Sequence, residues 1–177
     1  MEKTISQEVK FKGRLLELRV LEVEVGDRVS KREIVYHPGA SAVLVLKDDK
    51  VLLVRQYRKA IEGYTWEIPA GKLGPSEDPL SCIVRELEEE TGIKVSRGQL
   101  KFLGKIHTTP GFTNEVIYIY LLQLSEEPHL EPQDQEEIKA VRWFSFDELK
   151  TMIHEGKLTD SKTLASLTLW KVSIGQL

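Results

Sequence analysis

Residues 71–93 read GKLGPSEDPLSCIVRELEEETGI and satisfy the spaced pattern Gly-x5-Glu-x7-Arg-Glu-(aliphatic)-x-Glu-Glu-x-Gly-(aliphatic) at every specified position. With residue frequencies of roughly 5–10% per position, an accidental match in a chain of this size is on the order of one in a million. Asp78-Pro79 offers an N-cap acceptor followed by proline at the first helical position, and Gly92 offers a left-handed stop, so a helix is predicted between them. Leu80, Ile83, Val84 and Leu87 recur at i, i+3, i+4 and i+7 and mark its buried stripe. Each residue advances about 100° around the axis. Glu86 and Glu90 therefore share a face on adjacent turns, with Glu89 beside Glu86 and away from the apolar stripe.

Like charges at these spacings oppose one another by about 0.2–0.5 kcal/mol per pair even on an isolated helix. A divalent cation removes the conflict, and hard oxygen ligands with open coordination positions favour Mg²⁺ or Mn²⁺. A solvated acidic face, with Arg85 paired to Glu89 at i,i+4, would account for the charge run alone. It leaves Gly71 and Glu77, upstream of the helix, without a reason.

The chain has 177 residues, 41% hydrophobic and 30% charged, enough for one sizeable core and without a polar low-complexity stretch to divide it. A net charge of −3 supplies no broad basic face, which argues against nucleic acid as a partner. The opening MEKTISQEVKF lacks the apolar core of a signal peptide, and no apolar run approaches the ~20 residues of a membrane span, so a cytoplasmic location without membrane association is expected. Cys82 is the single cysteine, and no Cys/His spacing resembles a zinc site, so metal binding would use oxygen.

Residues 5–36 alternate apolar and polar side chains around turn signals at Lys12-Gly13 and Gly26-Asp27, which predicts antiparallel strands. Residues 41–46 and 51–57 form a hairpin with a charged tip. Further strands are expected near 101–106, 116–124 and 139–144, and helices near 146–155 and 160–171. Strands on both sides of a central helix, with helices at the end, predict a mixed α/β/α sandwich. Residues 1–38 are expected to form an N-terminal strand extension and 39–177 the main domain.

The 71–93 segment resembles the box of the Nudix hydrolase family. The resemblance implies a metal-dependent hydrolase of nucleoside diphosphates linked to another group. In similar enzymes the equivalents of Glu86 and Glu90 ligate metal, Glu89 assists, and the backbone carbonyl of the residue before the first glycine, here Ala70, is a further ligand. Two or three Mg²⁺ or Mn²⁺ ions are implied. Glu77 and Arg85 would pair with and orient the ligating carboxylates.

The flanks narrow the substrate. VRQYRKAIEGYTWEIPAGKL at 54–73 and TPGFTNE at 109–115 resemble the ADP-ribose pyrophosphatase subfamily, in which a proline follows the box at some distance. Sixteen residues separate Ile93 from Pro110. The matching region runs from about 37 to 149, and the N-terminal strands match loosely through KREIVYHPGA, which contains Arg32. Candidate substrate contacts are therefore Arg32, Arg55, Pro110, Gly111 and Phe112. Strand alternation puts Arg55 and Tyr57 on one face and Gln56 and Arg58 on the other, and Arg55 is taken as the diphosphate ligand. Trp66, Tyr64 and Phe112 are adenine-stacking candidates, although packing is the commoner use of single aromatics. His37 and His107 are expected to be structural, Cys82 inert, and Asn114 stands where aspartate or serine is usual.

The implied reaction is hydrolysis of ADP-ribose to AMP and ribose 5-phosphate. In similar enzymes the general base is a glutamate on a loop before the last strand, which points to Glu137, then Glu136, with Glu89 next. The alternatives are a pyrophosphatase for GDP-mannose, another nucleotide sugar or a dinucleotide, and a non-catalytic ADP-ribose sensor. Resemblance to the subfamily also implies a homodimer in which the N-terminal strands help to form the partner's nucleoside pocket.

Overall fold

A computed structural model describes residues 1–176, and their contacts resolve into two units. The smaller comprises Met1–Gly39 together with His107–Val116. Its strands β1 (Lys3–Lys12), β2 (Glu17–Val25) and β3 (Arg28–Tyr36) form an antiparallel sheet in the order β1-β2-β3. Gly26, at φ +59°, makes the two-residue β2–β3 turn that a side chain would disfavour. The 109–115 segment, expected within the main domain, lies beside β3: Val35 N–H donates to the Phe112 carbonyl at 2.8 Å and Asn114 N–H to the Val35 carbonyl at 3.3 Å. Asn114 also accepts the His37 N–H on Oδ1 at 2.7 Å, a backbone bond that a neutral amide makes without adding charge.

The larger unit is built on a seven-stranded mixed sheet. Its main path runs β10 (Ile138–Ser145), β5 (Lys50–Arg58), β4 (Ala40–Lys47), β9 (Val116–Leu124), β8 (Leu100–His107). Two short strands absent from the sequence expectation, β6 (Gly63–Glu67) and β7 (Ala70–Lys72), pair with β5 and β4. β4 and β9 are parallel, whereas β10–β5, β4–β5, β4–β7 and β5–β6 are antiparallel.

Both sheet faces are apolar, which is why β4 reads as a continuous hydrophobic run. Val43, Val45, Leu52 and Leu122 pack against Ile83 and Leu87 of α1 (Pro79–Thr91). Leu44, Leu46, Val51, Leu53 and Ile119 belong to the opposite layer, with Leu149 of α2 (Phe146–His154) and Leu164 and Leu169 of α3 (Ser161–Ser173). This is the expected α/β/α sandwich. No helix among the described residues is long and apolar enough to cross a membrane.

Candidate active site

The ends of α1 follow from its sequence. Asp78 Oδ1 accepts from the N–H groups of Leu80 and Ser81 at 3.1 and 3.3 Å, Pro79 occupies the first turn, and Gly92 closes the helix at φ +81°. The last turn is also tied to the loop before β10, where Gln133 N–H donates to the Glu89 carbonyl at 2.8 Å and Glu131 N–H to the Thr91 carbonyl at 3.0 Å. These bonds satisfy carbonyls that a helix terminus leaves open, and they fix the loop carrying Glu136 and Glu137 to the acidic helix.

Glu86, Glu89 and Glu90 do occupy adjoining positions. Glu90 is 8% exposed and forms no ion pair among the described residues. Its carboxylate accepts the Ala70 N–H at 3.0 Å, and burial, reinforced by nearby Glu86, pushes its pKa up to about 8. Burial also raises Glu86, with Glu89 and Glu77 adding to the effect and Arg85 opposing it. The Arg85 guanidinium serves three carboxylates: Nη1 donates to Glu86 at 2.7 Å and to Glu89 at 3.0 Å, while Nε and Nη2 each donate to Glu77 at 3.2 Å. Glu77 is lowered by that contact and by the Gly74 N–H, which it accepts at 2.8 Å.

β7 passes directly under this face. A Cβ on Gly71 would stand 1.8 Å from the Glu86 carboxyl carbon. The Cys82 thiol faces the Lys72 and Gly71 carbonyls at 3.4 and 3.6 Å and is pushed up to about 12, chiefly by burial, which agrees with an inert thiol.

Among the described residues no three His, Cys, Asp or Glu side chains are gathered into a ready-made metal cage. Glu86 and Glu89 turn towards Arg85, and Glu90 towards the Ala70 N–H. The donor set nonetheless suits a hard cation: it is all oxygen, Glu90 is buried without an ion-pair partner among the described residues, and one arginine is left to neutralise three carboxylates.

On the loop both Glu136 and Glu137 are exposed; Glu137 Oε2 accepts from Gln56 Nε2 at 2.8 Å, whereas Glu136 is engaged, among the described residues, only through its carbonyl, which accepts from Lys139. Gln56 shares its β5 face with Arg58. Arg55 extends from the opposite face, its guanidinium 4.5 Å from the Tyr64 ring centre, into an ≈830 Å³ groove bordered by Trp66, Phe144 and Met152. Trp66 packs edge-on against Phe144, with ring centres 4.8 Å apart. Arg32, Pro110, Gly111 and Phe112 belong to the smaller unit, where Arg32 pairs with Glu2 and Phe112 is half exposed.

Four residues near the acidic face were not singled out from the sequence as site residues. Gln56 and Arg58 were legible through strand alternation, and Glu67 through its place just before the box. Lys162, which donates to Glu67 from α3, carries no local signal because the contact spans 95 residues.

The sequence profile of the NUDIX domain matches residues 35–167. The chain belongs to the Nudix family, and with every charged position of the box present it is a Nudix hydrolase. It is 41% identical to the methanol dehydrogenase activator of Bacillus methanolicus, over 94% of this chain and 90% of that one. It is 38% identical to the ADP-ribose pyrophosphatase of Bacillus subtilis, over 92% and 88%. A crystal structure of an ADP compounds hydrolase superposes with a TM-score of 0.74, covering 99% of this chain and 97% of that one at 20% identity, and so shares the fold.

Proposed function

We propose that this enzyme hydrolyses the diphosphate of ADP-ribose to AMP and ribose 5-phosphate, with Mg²⁺ or Mn²⁺ held by Glu86, Glu89, Glu90 and the Ala70 carbonyl. The observation carrying the reading is the buried, unpaired Glu90 beside Glu86 on the box helix. Similarity to ADP-ribose pyrophosphatases from two organisms supports the substrate.

When bound, such ions supply positive charge to the phosphoryl oxygens and lower the pKa of an attacking water. Arg85 and Glu77 keep the carboxylates oriented. Glu137, held at Oε2 by Gln56, takes the proton as the water oxygen bonds to phosphorus and the bond to the bridging oxygen breaks. Arg58, on the Gln56 face of β5, is the better placed of the two arginines to grip the diphosphate. Arg55, with its ring contact to Tyr64, faces the other layer.

The enzyme acts as a homodimer in which β1–β3 reach the partner's nucleoside pocket. β1 is exposed along its whole length, with Ile5, Val9 and Phe11 at least half exposed, and such an edge favours a covering partner. A panel of nucleotide sugars and dinucleotides, read by phosphatase-coupled phosphate release, tests the substrate. ADP-ribose should have the highest kcat/KM and yield AMP. A higher value for GDP-mannose would replace the substrate while leaving the hydrolase intact.

A further inference from the structure

A second set of buried charges adjoins the acidic face. Glu67, 2% exposed, ends β6 just before Ala70. Its Oε1 accepts from Arg58 Nε at 2.7 Å and from the Thr65 hydroxyl, and its Oε2 accepts from Arg58 Nη2 at 2.5 Å and from Lys162 Nζ. Lys162 is itself buried and donates to Asp160 Oδ1 at 2.9 Å. Asp160 Oδ2 caps α3 by accepting from the Thr163 N–H at 2.9 Å, and Thr163 Oγ1 accepts the Ile68 N–H at 2.9 Å. The first turn of α3 is thereby tied to the strand that leads into the box.

Stability is a poor reason for this arrangement. Taking charges out of water costs about as much as their attraction returns, and apolar side chains of similar volume would serve as well. What the network achieves is orientation. Donors on both oxygens leave the Glu67 carboxylate a single setting, and the bidentate pair then fixes the plane of the Arg58 guanidinium. The Arg58 side chain is 40% exposed, and its Nη1 has no hydrogen-bond partner among the described residues. Those N–H groups remain for an anion.

We propose that Glu67 and Lys162 are positioning residues for diphosphate binding: Lys162 pins the Glu67 carboxylate, Glu67 holds Arg58, and the unshared N–H groups of Arg58 receive a phosphate oxygen of the substrate. The proposal rests on the diphosphate-hydrolase reading above and assigns the larger unit a recognition element that begins on α3, outside the box.

A double-mutant cycle between Lys162→Met and Arg58→Ala tests it. The first readout is calorimetric affinity for α,β-methylene-ADP without added divalent metal. The second is kcat/KM on whichever panel substrate the parental enzyme turns over best. Lys162→Met should weaken both by roughly 10-fold, with the kinetic loss carried by KM, and by less than about 2-fold once Arg58 is alanine. Lys162→Arg should restore most of the affinity. If Lys162→Met does not fold, Glu67→Gln takes its place in the cycle, with the same expectation. Equal losses in both Arg58 backgrounds, or no loss in either, would overturn the proposal. An error in the ADP-ribose assignment would appear instead in the parental panel, before any variant is made.

Discussion

Gly71 lacks a side chain at the point where Glu86 fills the space: a Cβ there would meet the Glu86 carboxyl carbon at 1.8 Å. The glycine of the box is therefore a steric condition on the carboxylate that stands fifteen residues later, on the helix. Gly71→Ala should displace Glu86 and reduce kcat by about 100-fold, the scale on which a displacement of about 1 Å acts. Circular dichroism and steady-state kinetics check both halves, since the helix itself should persist.

Glu86→Gln and Glu90→Gln should each cut kcat at least ~100-fold at saturating Mg²⁺. Glu90→Gln has a second signature. Burial holds the Glu90 pKa at about 8, well above its ordinary 4.5, so in metal-free buffer its contribution to stability is full below pH 4.5 and is lost as pH rises through 8. The parental protein should therefore lose Tm between pH 5 and 8 without metal and regain it with Mg²⁺. Glu90→Gln should flatten both responses, which differential scanning fluorimetry can follow.

Glu67 should behave in the opposite sense. Burial acts to raise it, but Arg58 and Lys162 outweigh burial and bring it down to about 2 from 4.5. Its contribution, at most roughly 3 kcal/mol, is present above pH 4.5 and disappears as pH falls towards 2. Urea titrations should show the gap between the parental protein and Glu67→Gln narrowing from pH 6 to pH 3.

With Glu137 as the general base, Glu137→Gln should lower kcat by about 100-fold with KM nearly constant. Glu136→Gln should stay within about 2-fold, because only its backbone is engaged with a neighbour. A large effect at Glu136 and none at Glu137 would reverse the assignment.

Sedimentation at micromolar concentration should find a dimer, and Phe11→Glu on the exposed β1 should shift it towards monomer with loss of kcat/KM. A fully active parental monomer would remove the partner from the nucleoside pocket.

The helix and its caps were legible because Asp78, Pro79 and Gly92 act within a few residues of where they stand. So were the sandwich layers, from strand periodicity. The short strands β6 and β7 were not, because three to five residues after a turn carry too little periodicity. The placement of 109–115 beside β3 depends on backbone bonds to Val35, which no side-chain pattern announces. Lys162 shows the same limit at the site: its meaning comes from Glu67, 95 residues away. Strand alternation separates the Arg55 face of β5 from the Gln56 and Arg58 face; the proposal of Arg58 over Arg55 rests on the Gln56–Glu137 contact, which spans 81 residues and carries no local signal.

The central claim is tested most directly by measuring kcat/KM for ADP-ribose and GDP-mannose side by side in ¹⁸O-labelled water, with products resolved by mass, for the parental enzyme and Glu86→Gln. The account predicts a clear preference for ADP-ribose, AMP among the products, one labelled oxygen on a single phosphate, and near-complete loss in the variant. Equal or better turnover of GDP-mannose would contradict the substrate, and near-parental turnover by Glu86→Gln would contradict the site.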